Sequence, residues 1–303
     1  MQTIEVLNIT KSFGKNRAVD GVSFEVHGGE IFGLLGPNGA GKTTAIRIIL
    51  DIFKPDSGTV SVLGGPITEE KKDRIGYLPE ERGLYQDIKL ENCLVYLATL
   101  KGMSTTDARR EIDAYLERFD LAPHRKMKVK ELSKGMQQKA QLIVTLVHRP
   151  QIIIIDEPFT ALDPVNTQMV KELLEEERAR GTTIVMCTHQ MHQVEEMCDR
   201  LVLINQGRAV LYGTLTDIRR QFARQDMEVR ALDPLPETIP GVLEIRPKNG
   251  SHYLRLAPET SPQDVLKTLV QQDIAIEQFE IAIPTLDEIF IQVVQQKGVQ
   301  PDA

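Results

Sequence analysis

An α/β domain built on a parallel sheet, with a β-rich N-terminal subdomain and a helical insertion, followed by a small α+β module, is the architecture that three features of this sequence predict. One is a strand-to-helix junction, in which the strand-like run Ile31–Leu35 leads through a glycine-rich loop into the helical spacing of Ile46, Ile49 and Leu50. Another is the uninterrupted run Ile152, Ile153, Ile154 and Ile155, the pattern of a strand buried on both faces. From there to Asn205 strand-like and helical segments alternate, as they do when helices cover a parallel sheet.

Composition bounds the answer. With 303 residues, 41% hydrophobic and 26% charged, the chain is long enough for one large domain and a smaller one. No apolar run approaches the roughly 18–20 residues that cross a bilayer, and the opening residues lack the basic flank and apolar stretch of a secretory signal. A cytoplasmic chain is expected. Cys93, Cys187 and Cys198 are odd in number and show no C-x-x-C spacing, so they read as buried thiols and not as a disulfide framework or zinc site. A net charge of −7 gives no global attraction to nucleic acid, and no nucleic-acid partner is expected.

Taken in order, residues 3–9 and 22–26 alternate apolar and polar positions, as half-buried strands do. Residues 42–53 read as a helix that stops at the turn cluster Lys54-Pro55-Asp56-Ser57-Gly58, and strands are expected over 59–63 and 74–78. A helical insertion spans about 86–148, with Ile112, Leu116 and Phe119 forming an apolar stripe between charged neighbours. Strand 152–155, helix 165–180, strand 182–187, helix 190–199 and strand 200–205 complete a first domain of residues 1–225. The second domain, 226–303, combines strands over 242–245 and 252–256 with a helix over 262–272 and a further segment over 275–283.

Three strand ends carry chemistry, because open parallel sheets bind ligands beyond the carboxyl ends of their strands. After Leu35 comes Gly36-Pro37-Asn38-Gly39-Ala40-Gly41-Lys42-Thr43-Thr44, which fits the G-x-x-x-x-G-K-[ST] phosphate-binding loop. Such a loop turns backbone N–H groups toward phosphate oxygens, with Lys42 for the β- and γ-phosphates and the Thr43 hydroxyl for Mg2+. Asp156 and Glu157 follow the four isoleucines, and side-chain alternation at the strand end would give one a metal-facing and the other a water-facing role. Thr188 and His189 end the third strand. The remaining histidines lack such a setting and read as surface or structural residues.

With these elements in order, residues 3–222 resemble the nucleotide-binding subunit of ATP-binding cassette transporters, a phosphate-loop NTPase fold. The further motif is Leu132-Ser133-Lys134-Gly135-Met136-Gln137-Gln138, similar to that family's leucine-serine-glycine-glycine-glutamine signature. Ser133 and Gly135 match it, whereas Lys134 and Met136 depart. The resemblance implies that Ser133, Gly135 and Met136 cap ATP held by an opposite subunit, although Ser133 is equally suited to cap a helix. It implies adenine stacking on Phe13, a communication loop ending at Asp163, a γ-phosphate-sensing His189 and Glu157 as general base. Glu80 stands where glutamine is usual, so a carboxylate joins Thr43 and Asp156 as a metal-facing residue.

ATP and Mg2+ are the implied cofactors. The implied mechanism is a head-to-tail dimer, of two copies or of this chain with a homologous cassette, that closes on ATP and drives a separate transmembrane permease. That would hold the chain on the inner face of the cell membrane. The segment Pro79-Glu80-Glu81-Arg82-Gly83-Leu84-Tyr85 and the run Pro284-Thr285-Leu286-Asp287-Glu288-Ile289-Phe290 look most like exporter subunits of the sodium, drug or lipid type. A soluble cassette ATPase acting on ribosomes or nucleic acid, and a weakly hydrolysing regulatory subunit, are the alternatives.

Overall fold

The computed structural model describes residues 2–80, 83–222, 226–248 and 250–297. Contacts divide the chain into two compact units, Met1–Leu215 and Thr216–Ala303. Glu81 and Arg82 of the exporter-like segment, and residues 223–225 at the expected domain boundary, lie outside the described residues.

The first unit opens with β1 (Gln2–Phe13), β2 (Asn16–His27) and β3 (Ile31–Leu35), then α1 (Lys42–Ile49), β4 (Ser57–Val62), α2 (Glu69–Asp73) and β5 (Ile75–Leu78). The helical insertion carries α3 (Leu90–Leu100), α4 (Thr105–Arg118) and α5 (Lys134–Leu146). Beyond it run β6 (Ile152–Asp156), α6 (Pro164–Ala179), β7 (Thr183–Thr188), α7 (Met191–Met197), β8 (Arg200–Asn205) and β9 (Arg208–Thr214). Helix α8 (Leu215–Phe222) starts at the last residue of this unit and otherwise belongs to the second.

Two sheets organise this unit. Strands β2, β1 and β4 form an antiparallel sheet in the order β2-β1-β4, and the larger sheet has the order β5-β6-β7-β3-β8-β9. Its pairs are parallel except β8 with β9. Phe24 and Val26 of β2, Phe32 and Leu34 of β3, Ile46 and Ile49 of α1, and Ile152 and Ile154 of β6 share one core, so α1 is packed between the sheets. Helix α5 covers β5, α6 covers β7 and α7 covers β3.

Strand parity then decides where Asp156 points. Ile152 and Ile154 face the α1 side of the sheet, and with a side-chain period of two, Asp156 falls on that side as well. On β7, Val185 and Cys187 occupy the same face, with Cys187 directly opposite Asp156 in register.

Helix α1 ends earlier than the periodicity suggests. Its last residue is Ile49, because Asp51 takes a left-handed φ of 58° and the N–H groups of Ile52 and Phe53 both return to the Arg47 carbonyl. Strand β9 and helix α2 carry no clear sequence signature, being an edge strand and a single exposed turn and a half.

The second unit is an antiparallel sheet of β10 (Met227–Ala231), β11 (Val242–Lys248), β12 (Ser251–Leu256) and β13 (Ile276–Ile281) in the order β11-β12-β10-β13. Helix α9 (Pro262–Gln271) packs Val265 and Leu269 against Met227, Val229 and Leu254 of that sheet. Helix α10 (Leu286–Lys297) closes the described chain. Among the described residues no helix is long and apolar enough to cross a membrane.

Candidate functional site

The loop between β3 and α1 has a backbone that only glycine permits at its two ends. Gly36 has φ +149°, and a Cβ there would stand 2.1 Å from the Ile204 carbonyl oxygen. Gly41 has φ +106°, and its Cβ would stand 2.2 Å from the Ala18 carbonyl oxygen. The Gly207 N–H donates to the Ala40 carbonyl at 2.9 Å, and the Asp20 N–H donates to Gly207 at 2.8 Å, so the loop is buttressed by β2 and by the β8–β9 turn. Gly41 precedes α1 without any side-chain cap, which leaves the first amides of the helix directed at the cleft. Lys42 is buried, and its ammonium donates to the Gly36 and Pro37 carbonyls at 2.7 and 3.2 Å.

The two carboxylates are separated by backbone conformation as well as by parity. Asp156 ends β6, whereas Glu157 lies past the strand in the left-handed region at φ +54°. Strand alternation alone, as expected from sequence, therefore does not describe the pair. The Thr43 hydroxyl donates to Asp156 Oδ2 at 3.3 Å. Burial raises the Asp156 pKa and the Glu157 charge adds to this, against lowering by the Cys187 thiol, Thr43 and Lys42. Glu157 Oε1 accepts the His189 N–H at 3.0 Å and contacts its ring Nδ1 at 2.6 Å; a carboxylate acceptor puts the hydrogen on Nδ1. Glu157 Oε2 accepts the Thr188 hydroxyl at 3.1 Å.

A cleft of about 470 Å3 gathers Phe13, Asn16, Ala18, residues 38–44, Glu80, Asp156 and Glu157 along its walls. Phe13 is half-exposed at the end of β1 and meets Phe53 edge-on, with ring centroids 5.5 Å apart. The Lys11 ammonium lies 5.9 Å from the centroid of the same ring. The Thr43 hydroxyl and the Asp156 carboxylate meet in this cleft, and Glu80 lines the same wall; oxygens of these kinds suit a hard divalent cation. A larger cavity of about 750 Å3 lies at the opposite ends of β6 and β7, where Glu111, Arg118, Arg149 and Arg180 line it without a phosphate loop.

The signature-like residues stand apart from that lining. Ser133 caps α5 by accepting the Met136 N–H at 3.2 Å, and a Cβ on Gly135 would lie 3.0 Å from the Ala161 carbonyl oxygen. Asp163 caps α6 by accepting the Asn166 N–H at 2.9 Å, which with the Asn166 side chain holds its pKa below the usual carboxylate value. The start of α5 and the loop before α6 are therefore neighbours within one chain. Asn16 and Ala18 of the cleft were not foreseen, because only the folding back of β2 brings them beside the loop.

A strand-loop-helix phosphate cradle after β3, with the Thr43 hydroxyl of α1 and two carboxylates at the end of β6 in the same sheet, defines a nucleoside-triphosphate-hydrolysing class of protein. The family model described as ABC transporter matches residues 19–160, and one described as ATP-binding protein DrrA1-3-like, C-terminal domain, matches residues 213–294. The uncharacterized ABC transporter ATP-binding protein YhaQ of Bacillus subtilis (strain 168) is 40% identical over 296 residues, covering 97% of this chain and 98% of its own length. A Nod factor export ATP-binding protein I of Paraburkholderia xenovorans (strain LB400) is 40% identical over 213 residues, 69% of this chain and 70% of that protein. A solved ATP-binding subunit of an ABC transporter superposes with a TM-score of 0.69 at 34% identity, over 73% of this chain and 93% of that one. The chain belongs to the family of ABC transporter ATP-binding proteins, whose cassette binds and hydrolyses ATP.

Proposed function

We propose that this chain is the ATP-hydrolysing subunit of an export complex, acting from the cytoplasmic face of the membrane on a separate permease. The observation that carries the reading is the cleft in which the phosphate loop, Asp156 and Glu157 face one another. In it the loop amides and Lys42 hold the phosphates, and Phe13 stacks on the adenine. The Thr43 hydroxyl and Asp156 would hold Mg2+, with Glu80 on the same wall, and the cation would supply positive charge against the phosphates. Glu157 takes the proton of the attacking water, and His189 orients that carboxylate until it turns to the γ-phosphate.

Two cassettes pair head to tail, so that Ser133, Gly135 and Met136 at the start of α5 contact the nucleotide of the opposite subunit. The contact of Gly135 with Ala161 gives the Asp163 loop a route for passing closure from one site to the other. Export, as the direction of transport, is supported by the Nod factor export relatives.

The test is purification of the Glu157→Gln protein with ATP from gently solubilised cells, followed by identification of stoichiometric partners. Recovery of a multi-helix membrane protein together with an ATP-bound dimer is the expected result. Recovery of ribosomes or nucleic-acid proteins, with no permease, would overturn the transport reading and leave the ATPase site standing.

A further inference from the structure

Behind the two carboxylates lies a buried hydroxyl to which the family signature assigns nothing. We infer that Thr188 is a positioning residue for Glu157, an inference that rests on the proposal that Glu157 activates water.

Thr188 is the last residue of β7 and is 0% exposed. Its Oγ1 lies 3.1 Å from Glu157 Oε2 and 3.4 Å from Gln193 Oε1, and it accepts the Gln190 N–H at 3.1 Å. A hydroxyl has one hydrogen to give. The Gln190 amide occupies its acceptor side, and of the two acceptors that remain, the carboxylate is both nearer and charged, so the hydrogen goes to Glu157. Gln193, itself buried, is kept in place by its Nε2 donating to Gln190 Oε1 at 2.8 Å. The Thr188 hydroxyl thus has a fixed direction before any ligand arrives.

Glu157 needs such a holder because of where its backbone sits. It is past the strand, at a left-handed φ, with one backbone bond from its N–H to the Cys187 carbonyl at 2.9 Å. The direction of its side chain is set by hydrogen bonds to its carboxylate. Its two oxygens are divided between two residues of the β7 end: Oε1 on His189, whose side chain is 47% exposed, and Oε2 on the wholly buried Thr188. The exposed imidazole can turn toward a phosphate without disturbing the core, whereas the Thr188 hydroxyl is buried and tied to the Gln190 N–H at 3.1 Å. When the His189 ring changes partner, Thr188 keeps Oε2 in place, while Oε1 still accepts the His189 backbone N–H at 3.0 Å and exchanges only its ring contact for water.

The test compares Thr188→Val, Thr188→Ala and Thr188→Ser in the full-length chain, with nucleotide affinity and single-turnover ATP hydrolysis read separately, alone and combined with Glu157→Gln. Loss of a hydrogen bond to a charged group predicts that turnover falls about ten- to hundredfold in Thr188→Val and Thr188→Ala, with nucleotide affinity within about twofold. Thr188→Ser restores turnover. In the Glu157→Gln background removal of the hydroxyl changes the residual rate less than about twofold, because the group it positions is already neutralised. Unchanged turnover in Thr188→Val or Thr188→Ala, with Glu157→Gln inactive, overturns the inference and leaves Glu157 in its role. Failure of Thr188→Ser to restore turnover, or a parallel loss of affinity, overturns it in favour of a purely structural threonine. Rapid turnover in Glu157→Gln alone defeats the role of Glu157 on which the inference rests.

Discussion

The Thr43 hydroxyl and the Asp156 carboxylate meet at 3.3 Å across 113 residues of sequence, joining the first turn of α1 to the end of β6. Neither element could place the pair alone. Helix α1 begins at Lys42 because Gly41 turns the chain sharply, and Asp156 faces it because the isoleucine strand alternates at a period of two.

Replacing Asp156 by Asn keeps the shape and removes the charge. We expect the Mg2+-dependent part of nucleotide affinity to fall about tenfold or more, since the cation loses a charged oxygen. Fluorescent-nucleotide titrations with and without Mg2+ measure this; an enhancement by Mg2+ equal to that of the unmodified chain would refute the metal assignment.

Lys42→Ala removes the ammonium that lies against the loop carbonyls and that we assign to the phosphates. ATP affinity is expected to drop by about two orders of magnitude, on the scale of a charge-assisted contact with a multiply charged ligand. Equilibrium binding of ATP settles the point, and unchanged affinity would remove Lys42 from the site.

Gly41→Ala should be costly even without ligand. The residue would carry a Cβ into the Ala18 carbonyl at a φ that L side chains rarely adopt. A loss of at least about 2 kcal/mol is expected from strain and overlap together. Urea denaturation of the nucleotide-free chain reads it; a midpoint unchanged from the unmodified chain would show that the loop relaxes freely.

His148 supplies a pH dependence of stability. Burial, with the nearby Lys101 charge, lowers its pKa from 6.5 to about 4, partly offset by the Ile75 carbonyl 3.4 Å from Nε2. In the unfolded chain it takes up a proton near pH 6.5, while in the folded chain it stays neutral to about pH 4. The unfolded state therefore binds more protons in that window, and the contribution of neutral His148, present above 6.5, is lost as pH falls to 4. Up to about 3 kcal/mol is at stake. Denaturation midpoints of His148→Gln should fall less steeply with acidification than those of the unmodified chain; parallel curves would show that His148 does not govern the slope.

Much of this geometry was readable in the residues, because it is local. Glycines around Lys42, four isoleucines before two acids and an alternation of strands and helices announce a ligand-binding parallel sheet without any long-range knowledge. What stayed hidden depends on distant backbone. The constraint on Gly41 comes from Ala18, and that on Gly36 from Ile204. Asp51 ends α1 through a left-handed turn that its apolar spacing, running on to Phe53, does not betray. Strands β9 and β10 and helix α10 were missed for want of clean periodicity. The left-handed Glu157, with its holders on β7, exists only after two strands have paired.

The loop pinned between the Ala18 and Ile204 carbonyls acts as a keystone between two sheets. Its shape is set when the domain folds, so the entropy of ordering it is not subtracted from the energy of nucleotide contact. Exchange of spent for fresh nucleotide can then proceed over an unchanged cradle, and slackening of the β8–β9 turn would register first as weakened affinity, well before any loss of fold.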